Sequence, residues 1–164
     1  MSVRLLRRRF TVEEYHRMAQ AGILSEDDRV ELIDGEVVQM PAIGSRHAAC
    51  VRRFTQLFSE RAANRALVSV QNPVRLSKYS EPQPDLAMLR PRGDFYASGH
   101  PGPEDVLLIV EVADTSVEYD RTVKVPLYAR AAIPEVWLVD LASDIVEVYR
   151  RPSTTGYQIA QRAN

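Results

Sequence analysis

Three acidic residues interrupt apolar stretches of the sequence, and acids in such positions can hold a metal ion or transfer a proton. Glu111 is the only charged residue in the run 106–113, Glu31 stands between Val30 and Leu32, and Asp85 precedes a short apolar segment. Sites built only from oxygen ligands suit Mg²⁺ or Mn²⁺. The sequence therefore predicts a divalent-cation site, provided that folding brings the three acids together.

Each acid taken alone also has an ordinary structural explanation. Glu111 interrupts a strand that is apolar on both alternating faces, which is typical of an interior strand. A carboxylate buried there needs a cation, a hydrogen-bond network or a water-filled cleft, and a structural salt bridge would meet that need equally well. Glu31 could face water from one side of a hairpin, and Asp85 follows a proline, as turn residues often do.

One lysine is placed where it could meet these acids. It is Lys124, on a helix predicted over residues 120–132. The residues that share its helical face are Leu127, Tyr128 and Ala131. Because this largely apolar face must pack on the sheet, the lysine is drawn inward beside the strand that carries Glu111. Asp120, one turn earlier on the same helix, is the alternative ion-pair partner.

Other kinds of site have little support in the sequence. There is no glycine-rich phosphate loop, no nucleophile elbow and no histidine pair at zinc spacing, and the single cysteine excludes an internal disulfide. A glycoside hydrolase needs two acids beside a sugar cleft, usually with aromatic platforms. Aromatic residues make up only 7% of the chain, and Trp137 lies in an apolar strand where we expect it to be part of the core.

Composition and charge indicate a soluble, cytoplasmic globular protein. With 164 residues, of which 45% are hydrophobic, the chain can build its own core, and we predict one domain over residues 1–164. The basic segment 1–9 is not followed by the apolar run of a signal peptide, and no run is long enough to span a membrane. A net charge of −1 provides no overall attraction to nucleic acid, although arginines cluster locally.

The hydrophobic pattern predicts a sheet of both parallel and antiparallel strands. Predicted helices cover residues 11–21, 45–64 and 120–132. Predicted strands cover a hairpin at 29–40 with its turn at Asp34-Gly35, a second hairpin of 74–76 with 85–89, and the segments 67–71, 106–113, 135–141, 145–150 and 156–163. The strand–helix–strand order from 106 to 141 predicts a parallel crossover. The fold class is therefore α/β (α+β), a central mixed β-sheet flanked by helices.

Five short segments follow one another in a specific combination. They are ELIDGE (31–36), QPDLA (83–87), VEV (110–112), YDRTVKVPLYARA (119–131) and PEVWLVD (134–140). Together they resemble the Uma-type putative restriction endonuclease family of the PD-(D/E)XK nuclease superfamily. The resemblance extends over roughly residues 10–150.

This resemblance implies a restriction-endonuclease-like sheet with Asp85 and Glu111 as the acidic pair on neighbouring strands. Glu31 would be the upstream acid, and the backbone carbonyl of Val112 could add a metal ligand. The superfamily places a lysine two residues after the second acid, where this chain has alanine. The resemblance implies that the lysine comes instead from the following helix, as Lys124.

The function implied by the resemblance is Mg²⁺-dependent or Mn²⁺-dependent hydrolysis of phosphodiester bonds by an endonuclease, with DNA as the favoured substrate. The basic helix could contact phosphates through Arg46, Arg52 or Arg53, although these arginines could equally be solvated. His47 is a candidate for a substrate contact or, alternatively, a structural histidine.

Two further expectations accompany this interpretation. Superfamily members that cut both strands commonly dimerise, so a homodimer is expected by analogy. The alternative function is that of a non-catalytic nucleic-acid-binding or regulatory protein that retains the nuclease fold.

Overall fold

In the computed structural model, which describes residues 5–164, a six-stranded mixed sheet carries helices on both faces. A separate two-stranded hairpin lies beside the sheet. It contacts the segment that precedes the second strand of the six-stranded sheet. Part of the basic segment predicted at residues 1–9 falls outside the described residues.

The helices have the following bounds. Helix α1 is Val12–Gln20, α2 is Ser45–Ala62, and α3 joins three consecutive segments, Val117–Tyr119, Asp120–Lys124 and Val125–Arg130. A short 3₁₀ turn covers Pro103–Asp105. Helix α1 begins with the capping box predicted from Thr11 and Glu14, in which each residue's side chain bonds the other's backbone N–H.

The strands follow the predicted order, with one exception described below. The hairpin consists of β1 (Val30–Ile33) and β2 (Glu36–Gln39). The sheet strands are β3 (Leu67–Val70), β4 (Leu86–Leu89), β5 (Val106–Ala113), β6 (Glu135–Asp140), β7 (Ile145–Ser153) and β8 (Gly156–Ala163). They lie in chain order across the sheet, with β5 and β6 parallel and the other neighbours antiparallel. The predicted interior position of the 106–113 strand and its parallel crossover partner are therefore confirmed.

The side-chain alternation of β5 divides the core between the two helical layers. Ile109 and Ala113 pack in the larger cluster, which contains the apolar residues of α3. Val110 and Val112 pack in the smaller cluster, which contains residues of α2. Glu111 must therefore point towards α3, since it alternates with Val110 and Val112.

Trp137 lies in the smaller cluster, as predicted. Its ring centroid is 6.3 Å from that of Phe54 and 5.7 Å from that of Phe58, both on α2. The indole is part of the packing between α2 and the sheet, and it does not line the pocket described below.

Helix α3 contains a wide π-helical turn at Asp120–Lys124. The backbone N–H of Val125 donates to the carbonyl of Asp120, five residues earlier, and the next residue, Pro126, has no N–H to donate. Lys124, Leu127 and Tyr128 are all buried, so the predicted inward face of this helix is confirmed. The helix begins at Val117, earlier than the predicted residue 120, and ends at Arg130, before the predicted residue 132.

The predicted strand at 74–76 was wrong. The backbone N–H groups of Val74 and Leu76 donate to the carbonyls of Pro82 and Ser80, so this segment folds onto its own continuation as an irregular loop. Strand β4 consequently pairs with β3 instead, with Leu86 opposite Val70.

The hairpin turn at Asp34-Gly35 was predicted correctly and depends on glycine. Gly35 has φ = +81°, and a Cβ added there would lie 2.5 Å from Cβ of Arg9.

No helix within residues 5–164 has both the length and the apolar composition needed to cross a membrane.

Candidate active site

The three acids predicted from the sequence line one pocket of about 350 Å³. Leu86 of β4 lies opposite Val110 of β5, so Asp85, one residue before β4, falls beside Glu111. Glu31 comes from the hairpin, and the bridge between Leu32 and Glu81 fixes β1 against the segment that leads to β4. The structure therefore brings together residues that are widely separated in the sequence.

Glu111 and Lys124 form an ion pair at the bottom of this pocket. Nζ of Lys124 is 2.6 Å from Oε1 of Glu111, and the hydroxyl of Tyr128 donates to the same oxygen at 2.5 Å. Both charged residues are almost fully buried, with 3% of Glu111 and 4% of Lys124 exposed. Because both contacts use Oε1, Oε2 is the oxygen through which Glu111 can meet a ligand.

Burial changes the protonation of this pair. Burial raises the pKa of Glu111 to about 8, even though the positive charge of Lys124 acts in the opposite direction. Burial also opposes the charged form of Lys124, but Glu111, Tyr128 and Glu31 raise its pKa well above the ordinary lysine value. The lysine is thus a cation held by surrounding acids, and the neighbouring carboxyl group takes up a proton more readily than a solvated one.

Glu31 is held by two donors. Its Oε2 accepts from the backbone N–H of Gln83 at 2.9 Å and lies 3.3 Å from Nζ of Lys124. Glu31 is only 3% exposed, so it is not the solvated hairpin residue that the sequence also allowed. Lys124 therefore lies between Glu31 and Glu111. It does not form the ion pair with Asp120 that the sequence offered as the alternative.

Asp85 is oriented from both sides. Its Oδ2 accepts from the backbone N–H of Val112 at 2.8 Å, and its Oδ1 is 3.0 Å from Nε2 of His47 on α2. The hydrogen bond to Asp85 raises the pKa of His47, against the effect of burial. Nδ1 of His47 is buried and has no hydrogen-bond partner within residues 5–164. His47 is thus the member of the predicted nucleic-acid-binding set that lies in the pocket.

The arginines of that set lie elsewhere. A guanidinium nitrogen of Arg46 donates to the carbonyl of Leu141 at 2.7 Å. Arg52 and Arg53 are exposed on α2 and do not line the pocket. The arginine that lines the pocket is instead Arg29, which is exposed, precedes β1 and carried no distinguishing sequence signal.

Sequence reasoning also missed two tyrosines on α3. Tyr128 was interpreted as apolar packing, although its hydroxyl on the same face as Lys124 was a usable signal. Tyr119 lines the pocket, and its buried hydroxyl has no hydrogen-bond partner within residues 5–164. Asp120 follows it and accepts a hydrogen bond from the Ser116 hydroxyl at 2.7 Å.

The donor set fits a hard divalent cation that keeps part of its water shell. Within residues 5–164 no three histidine, cysteine, aspartate or glutamate side chains stand close enough to form a complete metal cage. Mg²⁺ does not require one, because it is usually bound by one or two carboxylates and retains several waters. Asp85, Glu111 and the carbonyl of Val112 are the groups that could hold it.

Comparisons with known proteins agree with this fold. The Uma2 family model, described as a putative restriction endonuclease, matches residues 12–163. Among solved structures, the chain resembles a putative nuclease belonging to DUF820 from Anabaena variabilis ATCC 29413, with a TM-score of 0.69 and 16% sequence identity. The match covers 93% of this chain and 83% of that one, and at this identity the likeness concerns the fold alone. No curated protein matches the chain.

Proposed function

The chain belongs to the Uma2 family of putative restriction endonucleases, and we propose that it is a Mg²⁺-dependent endonuclease that hydrolyses phosphodiester bonds in DNA. The observation that carries the proposal is the position of Lys124, 2.6 Å from Glu111 and 3.3 Å from Glu31. Phosphodiester hydrolysis needs a positive charge to stabilise the phosphate and carboxylates to hold a metal ion. Lys124 provides the positive charge, and Asp85 provides a further carboxylate beside Glu111.

The proposed roles follow from the contacts of each side chain. Asp85 and Glu111 would hold the cation together with the carbonyl of Val112. The N–H of Val112 donates to Oδ2 of Asp85, and the hydroxyl of Tyr128 donates to Oε1 of Glu111, so each bond fixes the orientation of its carboxyl group. These two donors are positioning groups, since neither needs to touch the substrate.

Lys124 would act on the reacting phosphate directly. Its ammonium group can donate a hydrogen bond to a phosphate oxygen as negative charge develops there, or orient the attacking water. Glu31 would keep that ammonium group charged and in place. When bound, a divalent cation supplies Lewis-acid activation of the phosphate and of water.

Isosteric substitution of the acidic pair tests this proposal. Asp85→Asn and Glu111→Gln should each abolish Mg²⁺-dependent cleavage of plasmid and oligonucleotide DNA, and each should weaken Mg²⁺ binding measured by calorimetry. Asp140→Asn is the matched control, because Asp140 is also a buried acid at a strand end but, within residues 5–164, its side chain bonds only the backbone N–H groups of Ala142 and Ser143.

The wild-type protein and the Asp140→Asn variant should cleave alike. If Asp85→Asn and Glu111→Gln both cleave at the wild-type rate, the proposed mechanism is wrong. Thermal melting of each variant establishes that a loss of cleavage is not a loss of folding.

A second candidate is a nucleic-acid-binding or regulatory protein that retains the fold without catalysis. The observation in its favour is that the position two residues after Glu111 is occupied by Ala113, so the lysine comes from helix α3 instead of from the strand. Binding of DNA without cleavage in Mg²⁺ or Mn²⁺, by a protein that is folded, would select this candidate.

A homodimer is part of the proposal if both strands of a duplex are cut. If both strands are cut in one binding event, a two-fold symmetric pair of copies would present one site to each strand. Light scattering coupled to size-exclusion chromatography, with and without DNA, measures the number of copies directly.

A further inference from the structure

The pocket has two chemically different parts. One part contains the acids and Lys124, and the other is formed by the connection from β2 into α2. The apolar residues that line this part of the pocket are Val38, at the end of β2, and Met40, Pro41, Ala42 and Ile43 of the connection. Ile43 is 38% exposed, so its side chain is available for contact with a ligand.

The size and depth of the pocket restrict what can reach the acids. Its volume of about 350 Å³ is at the small end of the range for ligand pockets, roughly 300–1,000 Å³. Glu31, Glu111 and Lys124 are only 3–4% exposed, so a phosphodiester group meets them only by entering the pocket. A nucleotide held in a base pair is not free to leave its stack, whereas an unpaired nucleotide can turn out of the strand and enter.

An unsatisfied donor lies in the same pocket. The Tyr119 hydroxyl is buried and has no hydrogen-bond partner within residues 5–164, which is uncommon for a buried polar group. Burial and the nearby Glu31 raise the pKa of Tyr119 to about 12, so the group remains an O–H donor. An acceptor such as a phosphate oxygen would satisfy it.

The lining of the pocket carries few basic side chains for a long duplex to bind. Apart from His47, the basic side chains that line it are Arg29 and Lys124. A protein can make about 6–10 phosphate contacts when it binds duplex DNA, and the pocket lining supplies fewer basic side chains than that. Arg52 and Arg53 do not line the pocket.

From these observations we infer that the pocket is a subsite for one unpaired nucleotide, with its base against Met40, Pro41 and Ile43 and its phosphate at Lys124 and Tyr119. The substrate class is therefore single-stranded DNA, including unpaired stretches within a duplex. This inference rests on the proposed function and makes it more specific.

Three oligonucleotides of one sequence test the inference: a single strand, a fully paired duplex, and a duplex with an internal unpaired loop. In Mg²⁺, the single strand and the loop should be cleaved at least tenfold faster than the paired duplex. In Ca²⁺ in place of Mg²⁺, fluorescence anisotropy measures binding of the same three molecules, and the single strand should bind at least tenfold more tightly than the duplex.

Two exposed apolar residues, Ile43 and Leu57, provide a matched pair of variants. Ile43→Ser should weaken binding of the single strand about fivefold, because apolar contact with the base is lost. Leu57→Ser should leave it unchanged, since Leu57 is similarly exposed, at 37%, but does not line the pocket. Tyr119→Phe should weaken binding severalfold by removing the hydroxyl while keeping the ring.

The possible results separate this inference from the proposed function. Equal cleavage of the paired duplex and the single strand would overturn the inference and leave the nuclease proposal standing. If none of the three is cleaved, the nuclease proposal fails, and the anisotropy data then decide the inference alone. Cleavage and binding of single-stranded RNA, with single-stranded DNA ignored, would overturn the assignment of DNA.

Discussion

Replacing Lys124 with methionine should destabilise the protein strongly, because the substitution leaves two acids buried without their cation. Methionine is similar to lysine in length, so the change removes charge with little loss of packing. Lys124 is 4% exposed and contacts both Glu111 and Glu31. The effect therefore measures the ion pair rather than a cavity.

The expected size follows from the burial of all three groups. Removing one partner of a buried ion pair typically costs about 3–5 kcal/mol of unfolding free energy. For a domain of this length each kcal/mol lowers the melting temperature by about 2–4 °C, so Lys124→Met should melt about 6–20 °C below wild type at pH 8.

The pH dependence of this loss can be derived from Glu111. Its pKa in the folded protein is raised to about 8, above the unfolded value of 4.5, so the folded state binds the extra proton between those values. Glu111 therefore favours folding less as pH rises through this window. At pH 5 the carboxyl group is neutral in the folded state, so the lysine has less charge to balance and its removal should cost less than at pH 8.

A double variant serves as the control. Lys124→Met combined with Glu111→Gln removes both charges of the pair and should recover much of the lost stability, because a buried pair can often be replaced by neutral groups at little cost. Urea unfolding and thermal melting followed by circular dichroism measure all forms at pH 5 and pH 8. If Lys124→Met and wild type have equal stability at pH 8, the ion pair does not have the energetic role assigned to it.

Two further predictions concern other buried hydrogen bonds. Tyr128→Phe should lower the unfolding free energy by about 1–3 kcal/mol in urea titrations, because Glu111 loses a buried donor, and an unchanged midpoint would contradict that bond. Burial raises the pKa of Glu147, but hydrogen bonds from Arg121 and Tyr149 outweigh it and hold the pKa below the ordinary value of 4.5. Glu147 therefore stabilises the fold above pH 4.5 and loses this effect as pH falls, so Glu147→Gln should be less stable than wild type at pH 7, and the difference should be smaller at pH 3. A constant difference at both pH values would show that charge is not involved.

The elements that position the site could be predicted because their sequence patterns are local. The run 106–113 is apolar on both faces, and the structure places it as the third of six strands. The lysine was expected on the inward face of α3 because its helical neighbours Leu127 and Tyr128 are apolar or aromatic, and both are buried. In each case a repeated spacing determined the direction of the side chain.

The loop from Val74 to Pro82 shows where local pattern fails. Val74 and Leu76 alternate like a strand and both are buried, yet their backbone donors bond Pro82 and Ser80. Burial alone does not select a strand partner. The choice between β3 and this segment as the partner of β4 depends on long-range packing that short alternation does not encode.

The supporting contacts of the site could not be predicted for a similar reason. The backbone donor from Gln83 to Glu31 and the contact between His47 and Asp85 join residues that no sequence spacing relates. The wide turn in α3, which lets Tyr119, Asp120 and Lys124 all line the pocket, is likewise a departure from the regular helical period used in the prediction.

The division of the charges between two layers makes the site sensitive to the docking of one helix. The acids belong to strands and their flanking loops, whereas the lysine belongs to α3, which is attached to the sheet through buried residues such as Leu127 and Tyr128. A partial opening that releases α3 would separate the cation from its acids while the strands remain paired. Warming should therefore switch off the proposed cleavage reversibly at temperatures where the β-sheet signal is still intact.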